Sequence, residues 1–162
     1  MNNNKSLALI AFFSSLIIIA RLLKFSLAVH LPGFGGFGWM LMLLTGRLVI
    51  PRRFAATELS TISGLIIAIA GLDAVPFLSI PAYLVTGLML DCCYRLASLL
   101  HLGQRPGILI GGALSYTSHT AVKVLILSFV GIKMKAIFAW GLFAMFMLHV
   151  FFGALAGTRL YS

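Results

Sequence analysis

Four ionisable side chains interrupt apolar runs of this chain, where ionisable groups are costly and often functional. They are Asp91, His119, Lys123 and His149, the last of which we expect to be a packing residue among Phe and Met. Ser115 precedes His119 and Lys123 at intervals of four residues, which places all three on one helical face. That face has two interpretations: it lines a ligand pocket, or it forms a structural ion pair with Asp91.

Asp91 is expected to be buried and paired with a cation, because an unpaired carboxylate inside a membrane is costly. The candidate partners are Lys123, across the bundle, and Arg95, one turn along the same run. The adjacent thiols of Cys92 and Cys93 are poorly placed to bridge each other. We interpret them as small core residues, with reactive or lipid-modified thiols as the alternative.

Residues 30–39 alternate glycine with aromatic side chains. The segment is interpreted either as an interfacial aromatic belt or as a flexible lid whose rings stack on a planar ligand. The second interpretation predicts a pocket for a small planar or amphipathic metabolite in the outer half of the molecule. Its predicted walls are Phe34, Phe37, Trp39, Tyr83, Thr86, His119, Lys123 and Trp140.

The composition indicates which elements must position these residues. Of 162 residues, 61% are hydrophobic and 9% are charged, with 12 Lys and Arg against 3 Asp and Glu, and the mean hydropathy is +1.10. So few charges cannot cover the surface of a soluble domain of this length. We therefore predict a membrane protein, in which the positive excess sets topology and no nucleic acid is bound.

Six apolar runs are long enough to cross the bilayer as helices. They cover residues 6–23, 35–50, 57–72, 81–100, 108–130 and 136–160. None alternates polar with apolar residues, which argues against a barrel. Prolines at positions 51, 76, 81 and 106 are expected between the spans. The fold predicted is all-α: one transmembrane domain, 1–162, forming a compact bundle of six transmembrane helices that crosses the membrane several times.

Loop charges predict the orientation of this bundle. With six spans, both termini and the second and fourth loops share one side. That side holds seven basic residues: Lys5, Arg47, Arg52, Arg53, Arg95, Arg105 and Arg159. The other side holds four: Arg21, Lys24, Lys133 and Lys135. By the positive-inside rule, the N- and C-termini are expected in the cytoplasm.

Enzymatic functions are not indicated. The sequence has no His-Glu-x-x-His helix and no recognisable nucleophile–histidine pair, so we expect no catalytic residues. It has no ATP-binding motif either, so energised transport requires an ATPase on another chain. We expect no cofactor and no bound metal.

The layout resembles the substrate-binding S components of energy-coupling-factor (ECF) vitamin transporters, which are small six-helix prokaryotic proteins. The resemblance covers nearly the whole chain and rests on patterns in order. These are the Pro-Gly loop 31–35, the basic turn 46–53, the Gly-bearing run 62–65, the Pro-containing loop 75–81 and the Gly-plus-acid run 83–91.

The resemblance implies a function. Such proteins bind a vitamin or its precursor under their outer loops and deliver it with an ECF-type transmembrane coupling subunit and ATPases. The first helix usually contacts that module through two alanines spaced by three residues. Here Ala11 matches the first position, Ser15 replaces the second, and Ala8 is a further small residue of the same helix. Nickel and cobalt members use an N-terminal histidine, which the start Met-Asn-Asn-Asn lacks.

The sequence is therefore consistent with two functions. One is a substrate-binding subunit in the cytoplasmic (inner) membrane of a prokaryote, with a vitamin or precursor, the lipid bilayer and a coupling module as partners. The alternative is a structural or assembly subunit without its own ligand, in which the intramembrane charges only hold helices together.

Overall fold

The computed structural model describes residues 3–26, 34–73, 75–101 and 104–129, with side chains for 3–23, 38–73, 75–101 and 107–129. These residues form helices and short connections, and none of them is in a strand. The helices are α1 (Asn3–Ser26), α2 (Phe34–Val49), α3 (Ala55–Ile69), α4 (Pro76–Leu99) and α5 (Gln104–Phe129). The all-helical prediction is confirmed for this part of the chain, and the predicted sixth span, 136–160, lies outside it.

The predicted starts of α4 and α5 are wrong, because the prediction excluded proline from the helices. Helix α4 starts at Pro76, five residues before the expected start, and Pro81 lies inside it. Pro76 occupies the first turn, where a missing N–H has no helical partner in any case. Helix α5 likewise starts at Gln104, so Pro106 is its third residue and lies in the first turn as well.

Helix α4 is the centre of the described bundle, since it packs most extensively against α3 and α5. Helix α1 packs on α2 and α3, and α2 also contacts α3 and α5. The close approach of α3 and α4 depends on Gly87. A Cβ there would lie 2.6 Å from the Ala56 carbonyl oxygen and 2.7 Å from Thr57 Cα. Glycine therefore sets the distance between these two backbones.

Short connections make successive helices antiparallel, which gives the bundle two ends. We call one the Asp73 end; it contains the end of α1, the connection from α3 to α4 and the last turns of α5. The other is the Asp91 end, where Arg52 before α3 donates to Asn3 in the first turn of α1. This arrangement carries the polar clusters described below.

The described residues combine a largely apolar core with many exposed apolar side chains and a group of buried polar ones. Large apolar side chains are exposed on every helix, among them Phe12, Ile69, Phe77 and Phe129. Eleven polar or charged residues are buried: Ser6, Ser14, Arg21, Ser60, Ser63, Ser79, Thr86, Asp91, Ser115, Thr117 and His119. Two segments, Asn3–Leu23 of α1 and Pro76–Leu99, which is the whole of α4, are long and apolar enough to cross a membrane by length and composition.

Candidate functional site

The Asp73 end contains a charged cluster built from three separate segments. Asp73, between α3 and α4, lies 3.2 Å from Arg21 of α1 and 2.5 Å from Lys123 of α5, through the same oxygen, Oδ2. Ser79 of α4 donates its hydroxyl proton to that oxygen at 2.8 Å. The three charged side chains are only 10%, 15% and 22% exposed for Arg21, Asp73 and Lys123. We call Arg21, Asp73, Ser79 and Lys123 the charged cluster.

The two cations control the ionisation of Asp73, which lies in the connection outside the helices. Burial by itself raises the pKa of this carboxyl group, but the attraction of the Lys123 ammonium and then of Arg21 outweighs it. The pKa falls from 3.8 to about 2. The carboxylate is therefore ionised at neutral pH.

Beneath the charged cluster lies a group of rings that we call the aromatic cluster: Trp39, Tyr83, Tyr116 and His119. The Trp39 ring centroid lies 5.0 Å from Tyr83, 5.8 Å from Tyr116 and 5.2 Å from His119. Tyr83 and His119 meet edge to face at 4.8 Å. Such geometries are favourable for aromatic pairs, and helices α2, α4 and α5 converge here.

Tyr83 connects the two clusters. Its hydroxyl oxygen accepts a hydrogen bond from Arg21 Nε at 2.9 Å, and its ring is fully buried against Trp39. Gly64 of α3 makes room for it, because a Cβ at that position would lie 2.6 Å from Tyr83 Cβ. The guanidinium is therefore oriented by a phenol on one side and a carboxylate on the other.

The hydrogen bond between Thr86 and His119 indicates the state of the imidazole ring. Thr86 Oγ1 donates its one proton to the Ala82 carbonyl at 2.6 Å, and it lies 3.3 Å from His119 Nδ1. This geometry fits the tautomer in which Nδ1 carries the proton and donates it to the hydroxyl oxygen. In a neutral ring, Nε2 is the acceptor nitrogen.

The Asp91 end contains a second polar group of a different kind. Asp91 is 1% exposed, and its Oδ1 lies 2.6 Å from Arg47 Nε in an ion pair that is not aligned as a hydrogen bond. Its Oδ2 accepts from the Thr57 backbone N–H at 2.9 Å and the Thr57 hydroxyl at 2.7 Å. The Arg47 guanidinium also lies 4.2 Å from the Tyr94 ring centroid.

The predicted partners of Asp91 are therefore wrong, although it is buried and paired. Arg47 takes the place assigned to Lys123 or Arg95, and Lys123 binds Asp73 instead. The reason is register: His119 lies opposite Thr86, so Lys123, one turn later on antiparallel α5, faces the start of α4. Arg95 instead lies over the Phe54 ring, 4.5 Å from its centroid.

Five of the eight predicted pocket residues converge at the Asp73 end. Trp39, Tyr83, Thr86 and His119 are in mutual contact, and Lys123 lies one helical turn beyond His119. Trp140 and the side chains of Phe34 and Phe37 lie outside the described residues. The backbone from Phe34 onward is helical, so the hypothesis of a flexible lid is wrong for residues 34–39.

The small residues predicted to contact a coupling module lie on a face of α1 that the other described helices do not cover. Ala8, Ala11 and Ser15 are all exposed, and Ser15 donates its hydroxyl proton to the Ala11 carbonyl. Cys92 is exposed and Cys93 is half-buried, which contradicts the prediction of core thiols for Cys92.

Sequence reasoning missed Arg21, Asp73, Ser79 and Tyr116 as members of the site. Arg21 follows the buried residues Ser14 and Ile17 at helical spacing, which was a usable signal that it faces the bundle. Asp73 offered a second signal, because an acidic residue is rare in this chain.

Chemically, the site offers two cationic donors beside a buried and mutually packed group of rings, and the two cations suit an anionic group. Among the described residues, no group of three or more His, Cys, Asp or Glu could hold a metal ion. No family model matches the chain, and no curated protein or solved structure gives a significant match.

Proposed function

We propose that this chain is the substrate-binding membrane subunit of an ECF-type uptake transporter. It captures a vitamin, a precursor or a similar small metabolite at the outer face and delivers it with an external coupling subunit and ATPases. In this proposal the chain is a six-helix bundle in the cytoplasmic membrane of a prokaryote, with both termini in the cytoplasm.

The observation that carries the proposal is the position of the charged cluster directly above the aromatic cluster. Arg21 and Lys123 contribute two cations at one end of a bundle whose outer surface is largely apolar. Tyr83 joins them to Trp39 and His119. Pockets that bind small molecules combine such apolar walls with a few placed polar groups.

A second observation supports the coupling role. Ala8, Ala11 and Ser15 form a small-residue face that the described helices leave uncovered. Small residues allow another helix to approach closely in a membrane. The proposal assigns this face to the transmembrane coupling subunit.

The alternative, a structural or assembly subunit, is favoured by a specific observation of its own. The carboxylates at both ends of the bundle already have partners within the chain: Asp73 pairs with Arg21 and Lys123, and Asp91 pairs with Arg47. Such pairs hold helices together without any ligand.

Native mass spectrometry of the purified protein separates the two functions. We expect a small molecule to co-purify with the parent protein and to be lost from a Lys123→Ala variant that remains folded. Lys5→Ala, an exposed lysine near the opposite end, is the matched control and should keep the molecule. Absence of any bound small molecule from the parent, in detergent and in lipid discs, favours the structural subunit.

A further inference from the structure

The acidic side chains of this protein are distributed unequally between the two ends of the bundle. The sequence contains three, and all three lie among the described residues: Glu58, Asp73 and Asp91. Glu58 pairs with Arg52 at 2.7 Å and Asp91 pairs with Arg47 at 2.6 Å, both at the Asp91 end. No acidic side chain of the described residues other than Asp73 is therefore placed to neutralise the charged cluster.

Asp73 neutralises only half of the positive charge that Arg21 and Lys123 bring to the charged cluster. Arg21 and Lys123 both approach the same oxygen, so two cations share one carboxylate and the cluster has a net charge of +1. All three side chains are mostly buried, at 22% exposure or less. A net charge at a poorly solvated position is costly, so the cluster attracts one further negative charge.

We propose that the charged cluster binds one singly charged oxyanion, a carboxylate or a phosphate monoanion, and that Asp73 sets this preference for a single charge. The inference rests on the proposed function and names the class of its substrate. A monoanion brings the cluster to neutrality, whereas a neutral ligand leaves it at +1 and a dianion takes it to −1.

The surrounding donors favour an oxyanion over other anions. Arg21 donates from Nε to the Tyr83 hydroxyl and from Nη2 to Asp73. These two hydrogen bonds fix the plane of the guanidinium group and therefore the direction of its other N–H donors. A fixed guanidinium fork and a nearby ammonium match the oxygens of carboxylate or phosphate. The Tyr83 ring lies 5.9 Å from the guanidinium carbon and packs against Trp39, so the guanidinium is backed by buried rings and directs its free N–H donors away from them.

A matched pair of probes tests the preference for charge, since benzoate and benzamide differ in charge and little in shape. Binding is measured in uncharged detergent by ligand-observed NMR. We expect the parent protein to bind benzoate at least about tenfold more tightly than benzamide. Lys123→Met should remove most of this difference, whereas Lys5→Met should preserve it.

Substitution of Asp73 is expected to strengthen benzoate binding, whereas substitution of Lys123 is expected to weaken it. Asp73→Asn removes the competing negative charge, so it should tighten benzoate binding by about tenfold and favour the dianion phthalate. The matched control, Glu58→Gln at the opposite end, should change neither. Lys123→Met covers the case in which Asp73→Asn does not fold.

The inference is overturned if the parent binds benzoate no better than benzamide, or if a folded Asp73→Asn variant binds benzoate no more tightly. A neutral or cationic molecule found by native mass spectrometry would overturn the inference and leave the proposed function intact. Benzoate binding without any co-purified molecule would keep the anion site and count against the transport function.

Repeating the measurement in lipid discs identifies the natural source of the oxyanion. Benzoate binding that weakens in phosphatidylglycerol discs, relative to phosphatidylcholine discs, by more than the negative surface potential alone accounts for indicates competition with a lipid headgroup. Equal binding in the two lipids, once that potential is allowed for, assigns the site to a free metabolite. Both results support the oxyanion site.

Discussion

The Asp91 carboxylate substitutes for the missing side-chain cap of α3, because the residue at the N-cap position of that helix is Phe54. It accepts the N–H of Thr57 from a neighbouring helix and places a negative charge at the helix start, where the dipole favours it. Arg47 balances that charge. Three helices, α2, α3 and α4, are thus joined at one buried carboxylate.

We expect Asp91→Asn to lower the free energy of unfolding by about 3 kcal/mol, because it leaves the buried Arg47 guanidinium without a counter-ion. Thermal unfolding in detergent measures the loss. Glu58→Gln, which breaks a more exposed pair, is the control and should cost less than about 1 kcal/mol. Adding Arg47→Met to Asp91→Asn should recover part of the stability. Equal losses in the two single variants would show that the buried Asp91 pair contributes no more than the more exposed Glu58 pair.

Asp73 predicts a pH dependence with a definite sign. Its pKa is lowered in the folded protein from 3.8 to about 2, so the stabilisation is fully present above the unfolded value. It is lost as the pH falls through 3.8 toward about 2. We expect the unfolding temperatures of the parent and Asp73→Asn to differ near neutral pH and to converge in this acid window. A difference that stays constant there would contradict the ion pairs at Asp73.

At the scale of elements, the sequence predicted the helices better than their contacts. Apolar runs predicted α3 as 57–72, close to the observed Ala55–Ile69. The agreement arises because the length of an apolar run is a local property of the sequence. The partner of Lys123 depends on how far α5 slides along α4, which no local pattern records. The site prediction found Trp39, Tyr83 and His119 from their chemistry and missed Arg21 and Asp73 for this reason.

The close packing of α3 on α4 predicts a difference between two helical glycines. A Cβ at Gly87 would lie 2.6 Å from the Ala56 carbonyl oxygen, so Gly87→Ala should force the helices apart and cost about 1–3 kcal/mol. A Cβ at Gly38 meets the Ala20 Cβ at an ordinary 3.7 Å. Gly38→Ala should therefore be neutral or stabilising by up to about 1 kcal/mol. Thermal unfolding compares them, and equal effects would mean that α3 and α4 are not held together at Gly87.

At the scale of the whole molecule, the two ends of the bundle differ in how their charges are paired. At the Asp91 end, two carboxylates balance Arg47 and Arg52, and the pairs there join helices and connections. At the Asp73 end, one carboxylate serves two cations beside a group of rings. Composition predicted a membrane bundle with excess positive charge, but only the folded arrangement shows that two cations share one carboxylate beside the aromatic cluster.

The orientation of the molecule gives the last prediction. In the predicted topology, the side of the N-terminus has seven basic residues and the other side has four. The start of α1 lies at the Asp91 end, so the positive-inside rule predicts that this end faces the cytoplasm. In a background with Cys92→Ala and Cys93→Ala, single cysteines replace Asn4 and Val75, both exposed and located at opposite ends of the bundle. We expect a membrane-impermeant maleimide to label the cysteine at 75 in intact cells and the cysteine at 4 only after lysis. The reverse pattern would place the charged cluster on the cytoplasmic side and exclude capture from outside, and labelling of both in intact cells would mean that the bundle does not span the membrane.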